Sequence, residues 1–216
     1  GLPGLLRLRL SSIEPNDITP ELMETMAGLR IFCRHLHVPL QSGDDDVLER
    51  MGRRYTTWEY ARLASVLRDN IPGLSLTTDV MVGFPGETGE NHMNTYRFVE
   101  KLSFSGLHVF KFSPRRGTPA AGFGGQVEPQ VKEERSRGMI RLGEELSARF
   151  AASFLGQELD VLVEQPLDGG GRLYEGLTDN YLRVVFPGSE EIRGQIVKVK
   201  AERLNGDLLE GTIIIQ

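Results

Sequence analysis

Two histidines, His35 and His37, lie two residues apart in a stretch whose composition predicts a strand. Side chains at this spacing point to the same side of a strand, so the two imidazoles could bind one metal ion. Two rings packed inside a fold, each with a hydrogen bond, would explain the same spacing, and spacing alone favours that reading. The pair is therefore a candidate metal site with an ordinary structural alternative.

Three carboxylates, Glu14, Asp79 and Glu87, lie near predicted turns. Each could act as a general base or could hold a hydroxyl or ammonium group of a ligand, and for each a solvated surface position is an equal alternative. The turn from Gly83 to Glu87 precedes a predicted helix and offers backbone N–H groups to an anion. It contains neither GxGxxG nor a P-loop, and a tight strand-to-helix turn would explain it equally well.

Basic and aromatic residues of the kinds that bind nucleic acids occur in two places. Lys111 with Arg115 and Arg116 forms a local basic cluster. The last third of the chain contains residues that could stack bases or neutralise phosphates, namely Arg172, Tyr174, Tyr181, Arg183 and Arg193. Packing and solvation are the alternatives for all of them. Trp58 and Tyr60 are expected to be packing residues, and Cys33 a buried apolar one.

These residues are positioned by a strand, turn and helix pattern that occurs four times in the first half. The predicted strands are Leu5 to Leu10, His35 to Leu40, Ser75 to Phe84 and Leu107 to Phe112. Thr56 with Glu59 forms a capping box at the start of one predicted helix. Strands alternating with helices favour parallel βα units, and four units make half of an eight-unit barrel. The fold class is therefore α/β, a partial TIM-like barrel whose strand-end turns converge on one face.

A different pattern follows. Pro129 starts a long charged helix that is predicted to continue to about Phe154. Short strands are then predicted at 159–163, 181–186, 196–200 and 211–215, with Asn205-Gly206 as a type I′ hairpin turn. They suggest a small all-β barrel of a kind that often binds oligonucleotides. The predicted division is 1–128 for the half barrel, 129–154 for the connecting helix and 155–216 for the small barrel.

Composition limits the class of protein. The chain has 216 residues, of which 39% are hydrophobic and 25% charged, as in a soluble folded protein. No apolar stretch is long enough for a membrane span and no signal peptide is evident, so we expect a cytoplasmic protein without membrane contact. The net charge of −5 means that any nucleic-acid contact depends on local basic patches. The chain begins at Gly1 inside a predicted strand, which suggests part of a longer protein.

Five strings in the first 120 residues resemble the radical S-adenosylmethionine (SAM) methylthiotransferases: RLRLSSIEP (7–15), CRHLHVPLQSG (33–43), MGRRYT (51–56), TDVMVGFPGET (78–88) and FSPRRGTPA (112–120). The string GLTDNYLRV (176–184) resembles that family's TRAM domain, a small RNA-binding barrel. The resemblance spans essentially the whole chain. Within the family, the SSIEP string, the HLH strand and the residues Asp179 to Tyr181 most resemble the branch that acts on threonylcarbamoyladenosine in tRNA.

The resemblance implies an enzyme that methylthiolates carbon 2 of this nucleoside beside the anticodon. It implies SAM and two [4Fe-4S] clusters as cofactors, and tRNA and an electron donor as partners. The residues expected to bind SAM are Ser12, Glu14, Gln41, Ser42, Asp79, Gly83, Phe84, Pro85, Val109 and Phe110. Those expected to bind RNA are Arg115, Arg116, Arg172, Tyr181 and Arg183. No catalytic residue and no oligomeric state can be assigned.

The sequence departs from the family in its cysteines. Family members hold the radical cluster with a CxxxCxxC loop and a second cluster with three further cysteines, whereas Cys33 is the only cysteine here. No metal ligands are therefore assigned, and the chain alone is expected to be inactive. Three alternatives stay open: a non-catalytic RNA-binding remnant, an enzyme acting on isopentenyladenosine in tRNA, and an unrelated barrel enzyme with a metal at His35 and His37.

Overall fold

A computed structural model describes residues 3–167 and 172–214. Its first part contains a parallel sheet of three strands, β1 (His35–His37), β2 (Ser75–Val82) and β3 (Gly106–Lys111), in that order. In the register, His37 lies opposite Thr77, and Asp79 lies opposite His108. The helices of this part are α1 (Pro20–Gly28), α2 (Asp45–Arg50), α3 (Thr57–Asn70) and α4 (Gly89–Leu102).

The helices begin where the sequence supplies capping side chains. Thr19 and Asp44 accept hydrogen bonds from backbone N–H groups three residues further along α1 and α2. Thr56 and Thr88 form capping boxes at the starts of α3 and α4. Each cap satisfies backbone donors that a helix end leaves without partners, and it fixes where the helix starts. The predicted capping box at Thr56 is confirmed.

The two faces of the sheet differ in character. One face carries Leu36, Leu76 and Val80, which are buried against the helices in the main hydrophobic core. The opposite face carries polar residues along most of its length and two apolar ones at the strand ends, namely His35, His37, Ser75, Thr77, Asp79 and His108, then Met81 and Phe110. Because side chains alternate along a strand, the same three strands therefore build an apolar layer and a polar surface.

The first predicted strand is wrong in detail. Instead of a strand over Leu5 to Leu10, the structure has isolated parallel bridges that join Leu8 to Phe32 and Ser12 to His37. Leu6 and Leu8 are exposed, and of the alternating leucines Leu10 packs against the main hydrophobic core. Within the described residues this segment has a pairing partner on one side only, which leaves it as an irregular sheet edge.

Helix α5 (Pro129–Ala152) joins the two parts of the chain. It starts near the end of β3, where Lys132 donates to the carbonyl of Phe112, and passes Ser105, which accepts from Ser147 near the start of β3. It therefore runs antiparallel to the strands. At 24 residues it is about 36 Å long. Within the described residues, no helix is long and apolar enough to cross a membrane.

The second part is a closed barrel of β4 (Glu158–Pro166), β5 (Leu173–Thr178), β6 (Arg183–Pro187), β7 (Ile196–Asn205) and β8 (Leu208–Ile213), in the order β4-β5-β6-β8-β7. A side chain at Gly176 would collide with the carbonyl oxygen of Leu162, so glycine is required where β4 and β5 approach closely. The predicted α/β half barrel followed by a small all-β barrel is confirmed.

Three details of the predicted small barrel are wrong. Strand β5 was not predicted, because Glu175 and Gly176 interrupt its apolar alternation. Tyr181 was placed in a strand, but it lies in a turn with φ 68° before β6 begins at Arg183. The β7–β8 hairpin exists, but its two-residue turn is one position later, after Asn205, and only Gly206 has positive φ, so it is not type I′.

The small barrel docks against the edge of the sheet where the strands begin. Arg34, just before β1, makes a bidentate ion pair with Asp179 at 2.6 and 2.9 Å. Asn180 donates to the carbonyl of Gly73, just before β2. Arg7 donates to backbone carbonyls of the small barrel at 2.7 and 2.8 Å. These contacts leave the opposite edge, where the strands end, clear of the small barrel.

Candidate ligand-binding site at the strand ends

A cavity of about 460 Å³ lies at the carboxyl ends of β2 and β3. This is within the range of sites for small molecules, which combine apolar walls with a few polar groups. Its lining residues are Gln41, Met51, Arg53, Asp79, Met81, Phe84, Phe110, Lys111, Phe112, Ser113, Arg115, Thr118 and Ala120. Aromatic rings, a carboxylate, an amide and cationic side chains thus meet in one place.

The cavity brings together several of the residues selected from the sequence. Asp79 contributes a carboxylate from the polar face of β2, and Phe84 and Phe110 contribute rings. Gln41 adopts φ 68°, while its N–H donates to the carbonyl of Asp79 and its own carbonyl accepts from Met81. This unusual backbone conformation, four residues after β1, places Gln41 at the cavity wall.

The other residues expected at the polar end of SAM lie elsewhere. Ser12 is exposed at the sheet edge beside His37. Glu14 forms an ion pair with Arg53, which itself lines the cavity, at 3.1 Å. Ser42 is buried, and its hydroxyl is 3.1 Å from that of Thr95 in α4. The side chain of Ser42 is therefore directed into the helix layer and not into the cavity.

The Gly83 to Glu87 turn is held by its own contacts. The N–H of Gly83 donates to Oε2 of Glu87 at 3.0 Å, and Oε1 of Glu87 pairs with Arg135 at 2.6 Å. Burial raises the pKa of the Glu87 carboxyl, although Gly83 and Arg135 act in the opposite direction. Pro85 is buried, and its carbonyl accepts from Arg50. The turn is thus a fixed structural corner whose N–H at Gly83 is already in use.

The polar face of the sheet carries a connected set of side chains beside the cavity. His35 Nε2 and His37 Nδ1 lie 3.1 and 3.0 Å from the hydroxyl of Thr77. His37 Nε2 and His108 Nδ1 lie 3.1 and 3.2 Å from Oδ1 of Asp79. Burial, followed by the charge of Arg9, lowers the pKa of His35 to about 4, so this ring is neutral at pH 7. Val109, on β3 next to His108, is half-buried.

The residues expected to bind RNA have different surroundings. Arg115 and Arg116 are exposed in the loop that follows β3, and Arg172 is exposed at the start of β5. Arg183 is held by Glu175 through two hydrogen bonds of 3.0 and 2.8 Å. Tyr181 is stacked on His35, with ring centroids 4.6 Å apart, and the guanidinium of Arg9 covers it at 3.4 Å. Tyr181 therefore connects the small barrel to the sheet.

The structure also corrects two expectations about packing. Tyr174 is buried in the core of the small barrel and cannot stack on a base, whereas Trp58 is exposed on α3. Tyr60 and Cys33 are buried as predicted. Sequence reasoning missed His108, Met81 and Arg53 at the site. A signal existed for His108, since it alternates with Phe110 along a predicted strand, but only the strand register shows that it faces Asp79.

Comparisons with known protein families agree with this architecture. Residues 5–99 match the Radical SAM superfamily, and residues 152–214 match the TRAM domain. Among solved structures, coproporphyrinogen III oxidase from Escherichia coli superposes with a TM-score of 0.54 at 15% sequence identity. The superposition covers 78% of this chain and 46% of that one. At this identity the likeness concerns the fold alone.

Curated relatives are much more similar in sequence. The chain is 41% identical to the threonylcarbamoyladenosine tRNA methylthiotransferase MtaB of Bacillus subtilis, over 98% of this chain and 47% of the relative. It is 39% identical to the tRNA-2-methylthio-N(6)-dimethylallyladenosine synthase of Moorella thermoacetica, over 98% of this chain and 48% of the relative. The chain thus spans about half the length of these relatives. The resemblance to the radical SAM methylthiotransferases is confirmed.

Proposed function

We propose that this chain, which joins a Radical SAM segment to a TRAM domain, is part of a tRNA methylthiotransferase. The reaction proposed is replacement of the hydrogen at carbon 2 of N6-threonylcarbamoyladenosine, next to the anticodon, by a methylthio group. The observation that carries the proposal is the cavity at the strand ends, in a chain 41% identical to a curated threonylcarbamoyladenosine enzyme. Because its proposed substrate is tRNA, the protein is proposed to act in the cytoplasm.

The chemistry of the cavity fits SAM. When bound, SAM supplies the 5′-deoxyadenosyl group with which this family begins its reaction. Asp79 presents a carboxylate that can accept from an ammonium or ribose hydroxyl, and both of its histidine contacts use Oδ1, which leaves Oδ2 for the ligand. Phe84 and Phe110 offer rings for an adenine, and Arg53 a cation for a carboxylate. Val109 faces the main hydrophobic core on the other side of β3.

The residues of this chain do not fit an iron–sulfur cluster. Such a cluster needs several thiolates, and Cys33 is the only cysteine and is buried at 2% exposure. The chain by itself is therefore proposed to be inactive. An anaerobic reconstitution with iron and sulfide checks this: we expect no cluster absorbance and no 5′-deoxyadenosine, and formation of both would contradict it.

The proposed RNA contacts are divided between two places. Arg115 lines the cavity where the modified base would enter, and Arg116 follows it as an exposed residue of the same loop. Arg172 and Arg183 lie on the small barrel, and Tyr181 beside them. Since Arg183 already pairs with Glu175, its phosphate contact must compete with an ion pair, and we expect it to add less to affinity than either loop arginine. Alanine at Tyr181 and Arg183 should still weaken tRNA binding.

The test is a nucleoside analysis in cells. Alongside a control that expresses this chain alone and should give no product, the longer protein of which this chain is proposed to be a part is expressed in a Bacillus subtilis strain that lacks its own tRNA methylthiotransferases, and digested tRNA is analysed by mass spectrometry. We expect the methylthiolated threonylcarbamoyladenosine to return. Asp79→Asn should abolish it, whereas Asp69→Asn, at an exposed carboxylate at the end of α3, should not.

Other outcomes select the alternatives. Methylthiolated dimethylallyladenosine in place of the expected product would assign the chain to the branch represented by the Moorella relative. Retained tRNA binding without any methylthiolated product would favour the non-catalytic RNA-binding remnant. An equal loss for Asp69→Asn and Asp79→Asn would contradict the assignment of the cavity as the site.

A further inference from the structure

We propose that His37, Asp79 and His108 form a binding site for a divalent transition metal ion such as Zn²⁺. Each residue contributes one ligand atom, and the three atoms lie within 4.8 Å of one another. The set is a two-histidine, one-carboxylate site with no thiolate, which differs in residues and chemistry from an iron–sulfur cluster. The inference does not rest on the proposed function.

Two of the distances between the ligand atoms are those expected around one shared ion. His37 Nε2 and His108 Nδ1 lie 3.1 and 3.2 Å from the same oxygen, Oδ1 of Asp79. Nitrogen and oxygen ligands held about 2.1 Å from one ion lie about 3.0 to 3.4 Å apart in octahedral or tetrahedral geometry. The two rings are also nearly parallel, with an interplanar angle of 28° and centroids 5.1 Å apart. Two of the three ligand pairs thus have separations that one shared ion allows, and the third pair, His37 Nε2 and His108 Nδ1, lies within 4.8 Å and must be about 3.4 Å or less apart in the bound site.

The sheet makes the arrangement rigid. His37 is on β1, Asp79 on β2 and His108 on β3, so three adjacent hydrogen-bonded strands supply one ligand each. The Cα atoms of Asp79 and His108 are directly paired in the β2–β3 register. A site built on neighbouring strands is fixed by the backbone and does not depend on a loop.

A supporting hydrogen bond orients one of the histidines. His37 Nδ1 lies 3.0 Å from the hydroxyl of Thr77, which leaves Nε2 facing Asp79. Histidines that bind metals are commonly oriented by such a partner at the second ring nitrogen. The His108 side chain is 64% exposed, against 12% for His37, so the site is open on one side for water or a further ligand. Three protein ligands with an open position are typical of metal sites that do chemistry.

The alternative is that the three side chains only hydrogen-bond to one another, with both rings donating to Asp79. The two cases differ in one measurable property, the specific uptake of an ion. The His35 and His37 pair considered from the sequence is not the site, because both of these rings face Thr77 and His35 instead stacks on Tyr181.

The experiment uses the tag-free chain, freed of metal with a chelator, in the absence of SAM and tRNA. Zn²⁺ uptake is measured by equilibrium dialysis. Co²⁺ uptake is measured by the visible absorbance bands of Co²⁺ bound to nitrogen and oxygen ligands. We expect one ion per chain. His108→Ala and Asp79→Asn should each weaken Zn²⁺ binding at least tenfold, and the Co²⁺ spectrum should show no thiolate charge-transfer band, because the only cysteine is buried.

His92→Ala is the matched control, since His92 lies on α4 outside the cluster and should leave binding unchanged. His108 is exposed, so its replacement should leave the far-UV circular dichroism unaltered, which separates lost ligation from lost folding. The proposal is overturned by no uptake at micromolar Zn²⁺, by equal weakening in the His92 variant, or by full affinity in the His108 and Asp79 variants.

Discussion

The ion pair between Glu87 and Arg135 should control the stability of the corner between β2 and α4. The Glu87 side chain is 4% exposed and that of Arg135 is 12% exposed, and their charged atoms are 2.6 Å apart. Arg135 is on α5, so this contact and the Gly83 N–H bond to Glu87 join the strand end to two helices. We therefore consider the substitution Arg135→Met, which removes the charge and keeps much of the apolar stem.

The magnitude follows from the burial of the partner that remains. Removing one member of a buried pair costs about 3 to 5 kcal/mol, because the other charge stays buried without compensation. Loss of an exposed pair costs under about 1 kcal/mol. Arg137→Met is the matched control, since Arg137 lies on the same helix, its side chain is 70% exposed, and it pairs with Glu133 at 2.8 Å.

The effect of Arg135→Met should depend on pH in a defined direction. Burial already raises the pKa of Glu87 in the folded protein, and Arg135 opposes this increase. Without Arg135 the pKa rises further, so the folded state favours the protonated carboxyl. The contribution of Glu87 to stability is then present below its ordinary pKa and is lost as pH rises through the raised value. We expect a larger loss at pH 8 than at pH 4.5.

Urea unfolding followed by far-UV circular dichroism at both pH values measures these free energies. Adding Glu87→Gln to the Arg135→Met background should recover stability at pH 8, because it removes the uncompensated charge. The reasoning is refuted if Arg135→Met costs no more than Arg137→Met at pH 8, or if its cost is the same at both pH values. Either result would mean that water reaches the Glu87 carboxylate.

Three further changes test other parts of the molecule. Gly176→Ala should destabilise the small barrel by about 1 to 3 kcal/mol in urea unfolding, because the added methyl group would collide with the carbonyl of Leu162. Replacing Arg115 and Arg116 with Ala should reduce the slope of log affinity for tRNA against log salt by about 1.5 in filter binding, and an unchanged slope would place the RNA surface elsewhere. Thr88→Ala should lower the free energy of unfolding by about 1 kcal/mol in thermal unfolding, because it removes a capping box.

The sequence predicted the elements whose signals are local. The helix start at Thr56 depends on a side chain within three residues of the start, and the structure has a capping box there. The strand from Ser75 and the helix from Pro129 have strong periodicity and were likewise found. The predicted strand around Leu8 is wrong because alternation shows only which side chains could be buried together. In the structure no apolar layer covers Leu6 and Leu8.

The site was predictable only in part for a related reason. Asp79 and Phe110 could be selected because strand ends converge in such folds, and both line the cavity. The register that places His108 opposite Asp79 depends on long-range pairing that no local pattern records. The same holds for Ser42, whose polar side chain looks available in the sequence but is satisfied by Thr95 on a distant helix.

The positions of the two basic regions restrict what can bind both. The small barrel docks at the strand-start edge through Arg34 and Asp179, while Arg115 lies beyond the opposite edge. Strand β2 has eight residues and spans about 26 Å between these edges, and α5 spans about 36 Å in the reverse direction. A ligand that touches both Arg115 and Arg183, which lies beside Ser75 and Ser105 where β2 and β3 begin, must therefore extend over about 20 Å or more. A free nucleoside cannot do this, whereas a folded RNA can hold the barrel with one part and place a single base at the cavity.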